Sequence, residues 1–352
     1  MLSGLLTLLQ RRFPVYLVLE VTSRCNLKCH HCFNWKRQDT IKADQELLLS
    51  EYEKLTDNLR KIYYLSITGG EPTLRHDLSD IISLFYHKNQ VRVINLHTNG
   101  FDPETIISQI TTIRNKCPNA FLRVSVSIDD IDAIHDEIRG VSGSFQHAKT
   151  TIEKLAALRH HDPKMSVEIA SVISSANLST FSNIYPQLLD SLPVDLVNIC
   201  LVRGDSREST YKNVPLEQYE SIIRFKNQYL DTHHPKKGLV ARGQKALNQL
   251  TNLISIENLR KKTQVVPCLA GSQGIEISST GDVFPCEMLD KTFGNLRDHN
   301  FNIDEMLNSQ TGKEIRQFIR GKNCYCSFEC MIPLSIIYSP RHYPQLLNHM
   351  FR

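Results

Sequence analysis

Residues 25–32 read CNLKCHHC, three thiols in the spacing CxxxCxxC directly after an apolar run. A zinc ion held by protein alone wants four ligands, usually from two CxxC pairs or from one CxxC and a distant histidine pair. Three thiols are one short, and His30 and His31 lie inside the same turn, where a single ion would struggle to gather every donor into a tetrahedron. Five more cysteines, Cys268, Cys286, Cys324, Cys326 and Cys330, crowd the last quarter of the chain, whereas Cys117 and Cys200 stand alone. Cys117 falls in a loop near a helix end and Cys200 inside an apolar strand, where a thiol behaves as a small hydrophobe. Two separate metal sites are therefore expected. Disulfides need an oxidising compartment. The N-terminal stretch MLSGLLTLLQRRF carries its basic residues after the apolar ones, the wrong order for a signal peptide. No run reaches the ~18 apolar residues of a membrane span. A reducing cytoplasm is the expected location.

The elements that must position these thiols follow from periodicity. From Val15 to about Leu230, short apolar runs alternate with helical patterns, the signature of βα units. The strands read VYLVLEV, YYLSIT, VRVINLHT, LRVSVSI, SVEIASVI and VDLVNICLV. The first helix, LSEYEKLTDNLRKI, is expected to open at Ser50 with Glu53 completing a capping box. Further helices start near Leu78, Glu104, Phe145, Thr180 and Leu216. The strands read as continuously apolar and buried on both faces, which suits a parallel sheet or barrel. From Gly238 the pattern changes to one long helical stretch ending near Lys262, then GIEISSTGDVFP as a hairpin, a helix from about Asp304 to Ile319, and CYCSFEC. The expected fold is α/β: a partial, TIM-like (βα)6 barrel over 15–237, then a small α+β cysteine-rich domain over 238–352. Residues 1–14 form an apolar segment expected to cap the barrel bottom. With 352 residues, 41% hydrophobic and 22% charged, the chain has the composition of a globular protein. Its net charge of +4 is scattered and too small to point to nucleic acid.

In parallel α/β folds reactive groups gather at the C-terminal ends of the strands. The polar motifs all fall there: the cysteine trio after the first strand, GGEPTLR after the second, TNG after the third, and SVSIDD running into HDEIRG at the fourth. Three thiolates suit three irons of a four-iron cluster whose fourth iron stays open to a substrate or cofactor. In GGEP, two glycines permit close backbone approach and a carboxylate matches a cation. Taken alone, the same four residues make a tight turn before a helix. Asp129 and Asp130 stand near the same mouth, where a carboxylate orients a substrate, takes its proton or caps the next helical turn. Arg203, Glu168 and Asn198 are further candidates for the barrel lining.

With these motifs the chain resembles the radical S-adenosylmethionine superfamily, whose signature is CxxxCxxC in the first loop of a partial barrel. The resemblance implies that Cys25, Cys29 and Cys32 hold a 4Fe-4S cluster and that S-adenosylmethionine (AdoMet) chelates the unique iron. One electron, from a flavodoxin or ferredoxin, then splits AdoMet into methionine and a 5′-deoxyadenosyl radical that abstracts hydrogen from a substrate. It also implies that Gly69, Gly70 and Glu71 meet the methionine ammonium. Asn99 and Ser127 resemble the family's ribose and carboxylate contacts, and Arg139 the cation for the cofactor carboxylate. The family often has an aromatic residue where His31 stands, and Phe33 is left to supply stacking beside the adenine.

The spacing of Cys268, Gly281 and Cys286 resembles the opening of the SPASM and twitch extensions of this superfamily. A full SPASM domain has seven cysteines; five imply a single auxiliary iron–sulfur cluster on Cys268, Cys286, Cys330 and one of Cys324 or Cys326. By spacing alone, zinc fits four of the five equally well. The shorter, twitch-like extension tilts the expected chemistry toward oxidation or rearrangement of a small hydroxylated molecule, such as a sugar, cyclitol or glycan precursor. The alternatives are modification of a ribosomally made peptide or protein side chain, and a non-catalytic iron–sulfur or zinc protein. The convergence of GGEP, TNG and HDEIRG on one face counts against the last.

Overall fold

A computed structural model of the chain describes residues 14–234, 238–327 and 331–351. The apolar segment over 1–13 and the thiol of Cys330 lie outside the described residues. One sheet of nine strands organises the rest, in the order β6-β5-β4-β3-β2-β1-β7-β8-β9. Its parallel part is β1 (Tyr16–Glu20), β2 (Tyr64–Thr68), β3 (Val93–Thr98), β4 (Phe121–Ser127), β5 (Met165–Ile173), β6 (Leu196–Leu201) and β7 (Gly274–Ile277). The antiparallel β8 (Asp282–Phe284) and β9 (Gly294–Asn295) follow. The helices are α1 (Trp35–Thr40), α2 (Leu49–Asn58), α3 (Leu78–Lys88), α4 (Pro103–Lys116), α5 (Asp132–Arg139), α6 (Ser144–His160), α7 (Phe181–Ser191), α8 (Leu216–His233) and α9 (Leu239–Lys261). The chain closes with α10 (Ile303–Asn308), α11 (Gln310–Arg320), α12 (Met331–Ile337) and α13 (Tyr343–Phe351).

Side chains alternate across each strand. Leu17, Leu19, Leu65, Ile67, Ile94, Leu96, Leu122, Val124, Val167, Ile169, Val197 and Ile199 all join the core under the helices. Each such burial contributes about 1.5–3 kcal/mol. The residues between them point to the other face and are largely polar: Glu20, Ser66, Asn95, His97, Arg123, Ser125, Glu168 and Asn198. The strands are thus not apolar on both faces as expected, because helices cover only the outer one. The inner face is bonded to itself. Arg123 holds Glu168 through Nε at 2.9 Å and Nη2 at 2.6 Å, and the Asn198 amide donates to Glu168 at 2.9 Å.

Three local differences have simple causes. The α2 cap is at Leu48, whose N–H is taken by Glu51 Oε2 at 2.9 Å, so Glu51 and not the expected Ser50 and Glu53 closes the helix start. The expected single helix near Asp304 is two, because Ser309 ends α10 and its Oγ caps α11 by accepting from the Gly312 N–H at 3.0 Å. Finally, β7 pairs in parallel with β1, from Tyr16↔Gly274 to Leu19↔Ile277, so the sheet runs on past the expected division at 237/238. Among the described residues no helix is long and apolar enough to cross a membrane.

Candidate active site

The loop after β1 is clamped by its neighbours. The Gly70 and Glu71 N–H groups donate to the Thr22 and Arg24 carbonyls, both at 2.8 Å. A Cβ on Gly70 would lie 2.2 Å from the Arg24 oxygen, and one on Gly69 2.3 Å from the Thr22 oxygen. The close approach that these glycines permit is therefore to the cysteine loop itself. On its other side, His30 N–H donates to the Ile138 carbonyl at 2.9 Å. Gly140, left-handed at φ +73°, packs where a Cβ would sit 2.6 Å from the Lys28 oxygen. From the loop after β6, Arg207 and Glu208 donate to the Cys32 and His30 carbonyls at 3.0 and 2.8 Å.

Each sulfur of the trio receives N–H donors from its surroundings. Cys25 Sγ faces the Leu27 N–H at 3.5 Å and Asn99 Nδ2 at 3.9 Å, Cys29 faces Arg139 Nη1 at 3.8 Å, and Cys32 faces Gln38 Nε2 at 3.4 Å. Burial pushes the Cys25 thiol up to about 12 and the Cys32 thiol to about 11, and raises Cys29 against the opposing Arg139 guanidinium. Thiols raised in this way are poor nucleophiles at neutral pH. Surrounded by donors, they fit the role of metal-bound thiolates, whose proton the metal displaces.

Several residues expected to touch a cofactor are instead committed to holding this loop. Glu71 is buried, and its carboxylate accepts from Thr73 N–H and Oγ1, Thr98 Oγ1 and the Asn99 N–H at 3.2, 2.7, 2.9 and 2.7 Å. Asn99 donates to Asn26 Oδ1 at 2.7 Å and accepts from the Phe101 N–H at 2.9 Å. Phe33 is packed against Gly204, with the Arg203 guanidinium 5.5 Å above the ring, so that face is not open for stacking. Ser127 lies at the C-terminal end of β4, half-buried at the mouth. Glu71→Ala orphans several buried donors, each at a cost of about 1–3 kcal/mol. We expect this variant to lose iron as well as AdoMet affinity on reconstitution; full iron content would show that Glu71 does not brace the loop.

The two aspartates expected to be catalytic are also internal. Asp129 accepts from the Val172 N–H at 2.8 Å and pairs with Arg139 Nη2 at 2.8 Å, with the buried His31 Nδ1 3.8 Å away. Burial alone would raise the Asp129 carboxyl, but Arg139 and the nearby imidazoles outweigh it and hold it below its ordinary 3.8. Burial pulls His31 down to about 4, so it is neutral. Asp130 accepts from the Ile131 N–H at 2.7 Å and Thr180 Oγ1 at 2.5 Å. Neither carboxylate is free to take a substrate proton. Asp129 positions Arg139, and through it Cys29. Asp129→Asn should lower unfolding free energy at pH 7 by roughly 3–5 kcal/mol, the cost of a buried charge left unpaired. A depressed carboxyl stabilises above its unfolded pKa and loses that contribution as pH falls through the folded one. Urea titrations of wild type and variant should therefore converge only below pH 3.8.

The second thiol group is assembled around the β7–β8 hairpin. Cys268 precedes β7 and Cys286 follows β8, and both are raised by burial, Cys268 to about 12. Cys324 and Cys326 act electrostatically on Cys268, and Cys268 and Cys326 on Cys286. Gln264 Nε2 donates to the Cys324 carbonyl at 3.0 Å and faces its sulfur at 3.5 Å. Residues 323–327, which carry Cys324 and Cys326, form no helix, strand or turn. Cys117 is buried in the core under the helices, and Cys200 lies in β6 two residues after Asn198, on the inner face.

Residues 19–173 match the family model of the radical SAM superfamily, and residues 268–331 match that of SPASM, an iron–sulfur cluster-binding domain. The chain is a radical SAM enzyme with a C-terminal SPASM domain. It is 27% identical over 331 residues to the AdoMet-dependent heme synthase of Methanosarcina barkeri (strain Fusaro), covering 90% of this chain and 89% of that protein. It is 23% identical to the antilisterial bacteriocin subtilosin biosynthesis protein AlbA of Bacillus subtilis (strain 168), covering 80% of this chain and 57% of AlbA. The fold is that of Streptococcus suis SuiB bound to its precursor peptide SuiA, with a TM-score of 0.61 at 16% identity over 96% of this chain and 76% of SuiB. The two domains bring a 4Fe-4S cluster with AdoMet and auxiliary iron–sulfur chemistry. Bound, these groups supply one-electron cleavage of AdoMet and a radical that takes hydrogen from a substrate.

The inner wall also carries bonded polar side chains that motif reading passed over. Asn95 donates to His97 Nε2 at 2.9 Å and accepts from Ser125 Oγ at 3.1 Å on the inner wall, where burial draws His97 down to about 4. Arg37 of α1 reaches Glu20 Oε2 at 2.6 Å and Glu276 Oε1 at 3.1 Å. The signal was present in LRVSVS, where a polar residue stands at every second place, and in part in VINLHT (Asn95, His97) and SVEIAS (Ser166, Glu168).

Proposed function

We propose that Cys25, Cys29 and Cys32 hold the AdoMet-binding cluster, that Cys268, Cys286, Cys330 and one of Cys324 or Cys326 hold an auxiliary cluster, and that the enzyme modifies a ribosomally made peptide. The division of labour follows the chain, with 15–237 for the radical site and 238–352 for the auxiliary one. The observation that carries the peptide reading is the inner wall. Ser66, Asn95, His97, Arg123, Ser125, Glu168 and Asn198 line it with hydrogen-bonding groups suited to amides and polar side chains, and poorly suited to a broad apolar macrocycle. AlbA, named for bacteriocin biosynthesis, supports the same direction. The relatives lend no support to the preference for a sugar or cyclitol, although the polar wall by itself tolerates one. The reductant is of the flavodoxin or ferredoxin class. The test is anaerobic reconstitution of the full chain, followed by deoxyadenosine measurement with peptides encoded beside its gene and with a panel of sugars and cyclitols. A peptide should raise deoxyadenosine output and gain a mass change; stimulation by a sugar alone would overturn the reading.

A further inference from the structure

Two carboxylates and an arginine meet on the inner face of the sheet. Glu20 ends β1, and Glu276 lies beside Val18 in the β1–β7 register, so both point to the inner face. Arg37 Nη1 lies 2.6 Å from Glu20 Oε2 and 3.1 Å from Glu276 Oε1, with its guanidinium 4.9 Å above the Phe284 ring. The second Glu20 oxygen accepts from Ser23 Oγ at 3.0 Å. Glu276 is only 2% exposed, yet its Oε2 is buried with no hydrogen-bond partner. Glu287, half-buried after β8, adds its charge against Glu276.

Two acids, Glu20 and Glu276, thus face one arginine, Arg37, and one negative charge has no counterpart. A buried carboxylate in that state takes a proton or finds a cation. Burial, Glu287 and Glu20 push Glu276 up to about 8 against the opposing Arg37, so at neutral pH it holds the proton until a cation replaces it. The guanidinium of Arg37, already seated on both carboxylates, shows that the pair accepts an organic cation. We propose that Glu276, with Glu20, forms a subsite for one positively charged group of the substrate, an ammonium or guanidinium on a basic side chain. The side chain is the part that rests on the peptide reading. The partly exposed Arg37, whose guanidinium covers both carboxylates, marks the way in.

The probes are Nα-acetyl-lysine amide and its uncharged counterpart Nα-acetyl-norleucine amide, titrated calorimetrically into the reconstituted full chain with AdoMet at pH 8. The lysine probe should bind, and the norleucine probe at least about tenfold more weakly, the scale of one charge-assisted contact. Glu276→Gln should weaken the lysine probe by a similar factor. Arg37→Gln, on the exposed α1, removes a competing cation and should tighten it. A merely structural cluster cannot give shifts of opposite sign. Should Glu276→Gln fail to retain iron, Arg37→Gln and Glu20→Gln carry the same test, the first tightening and the second weakening. Equal binding of both probes, or variants that leave the lysine probe unmoved, overturns the subsite. If the lysine probe depends on Glu276 while no peptide raises deoxyadenosine, the subsite stands and the peptide reading falls. If peptides with and without a basic residue work equally and the probe ignores Glu276, the peptide reading stands and the subsite falls.

Discussion

Cys29→Ala protein, reconstituted anaerobically, is expected to hold about half the iron and acid-labile sulfide of the wild type and to form no deoxyadenosine, since an iron that loses its thiolate leaves the cluster unstable. Cys29 is the most informative of the trio because its surroundings are the most constrained. Its sulfur faces Arg139, which is fixed by Asp129, which is fixed in turn by the Val172 N–H. Cys25→Ala and Cys32→Ala should behave alike, their sulfurs being seated by Asn99 and Gln38. The auxiliary thiols lie on other elements and should keep their metal. Retention of full cleavage activity in any of the three would remove the assignment.

Replacing Cys268 together with Cys286 should give the complementary loss. These two side chains flank the β7–β8 hairpin, on elements other than those that carry Cys25, Cys29 and Cys32. The double variant should lose the other half of the iron, still release deoxyadenosine when reduced without substrate, and make no modified peptide. A variant with its iron intact, or a wild type holding stoichiometric zinc there, would refute the auxiliary cluster. Product formed at the wild-type rate would refute its part in turnover.

Much of the scaffold was legible because βα units announce themselves by period. The observed starts of α3 and α8 at Leu78 and Leu216 coincide with those read from the sequence, and the strands agree to within two residues. The cysteine trio, GGEP, TNG and HDEIRG were rightly placed on one mouth. Their division of labour was not legible, because a motif does not say whether a carboxylate faces a ligand or its own backbone. Glu71, Asp129 and Asp130 all turned inward, each filled by backbone or hydroxyl donors from another loop. The same holds for Cys324 and Cys326, since CYCSFEC does not reveal which of them turns toward Cys268 and Cys286. The polar inner wall was visible as alternation but was masked by Val and Ile in the same strands. Glu276 was hidden for another reason: only the pairing of β7 with β1 brings it to Glu20, and no local pattern encodes that pairing.

Release of deoxyadenosine and methionine from AdoMet by the reduced, fully reconstituted chain tests the central claim most directly. The account predicts that both accumulate together, only with reductant present, and not with Cys29→Ala. A wild-type protein with its full complement of iron and sulfide that binds AdoMet under reducing conditions and releases neither would contradict it.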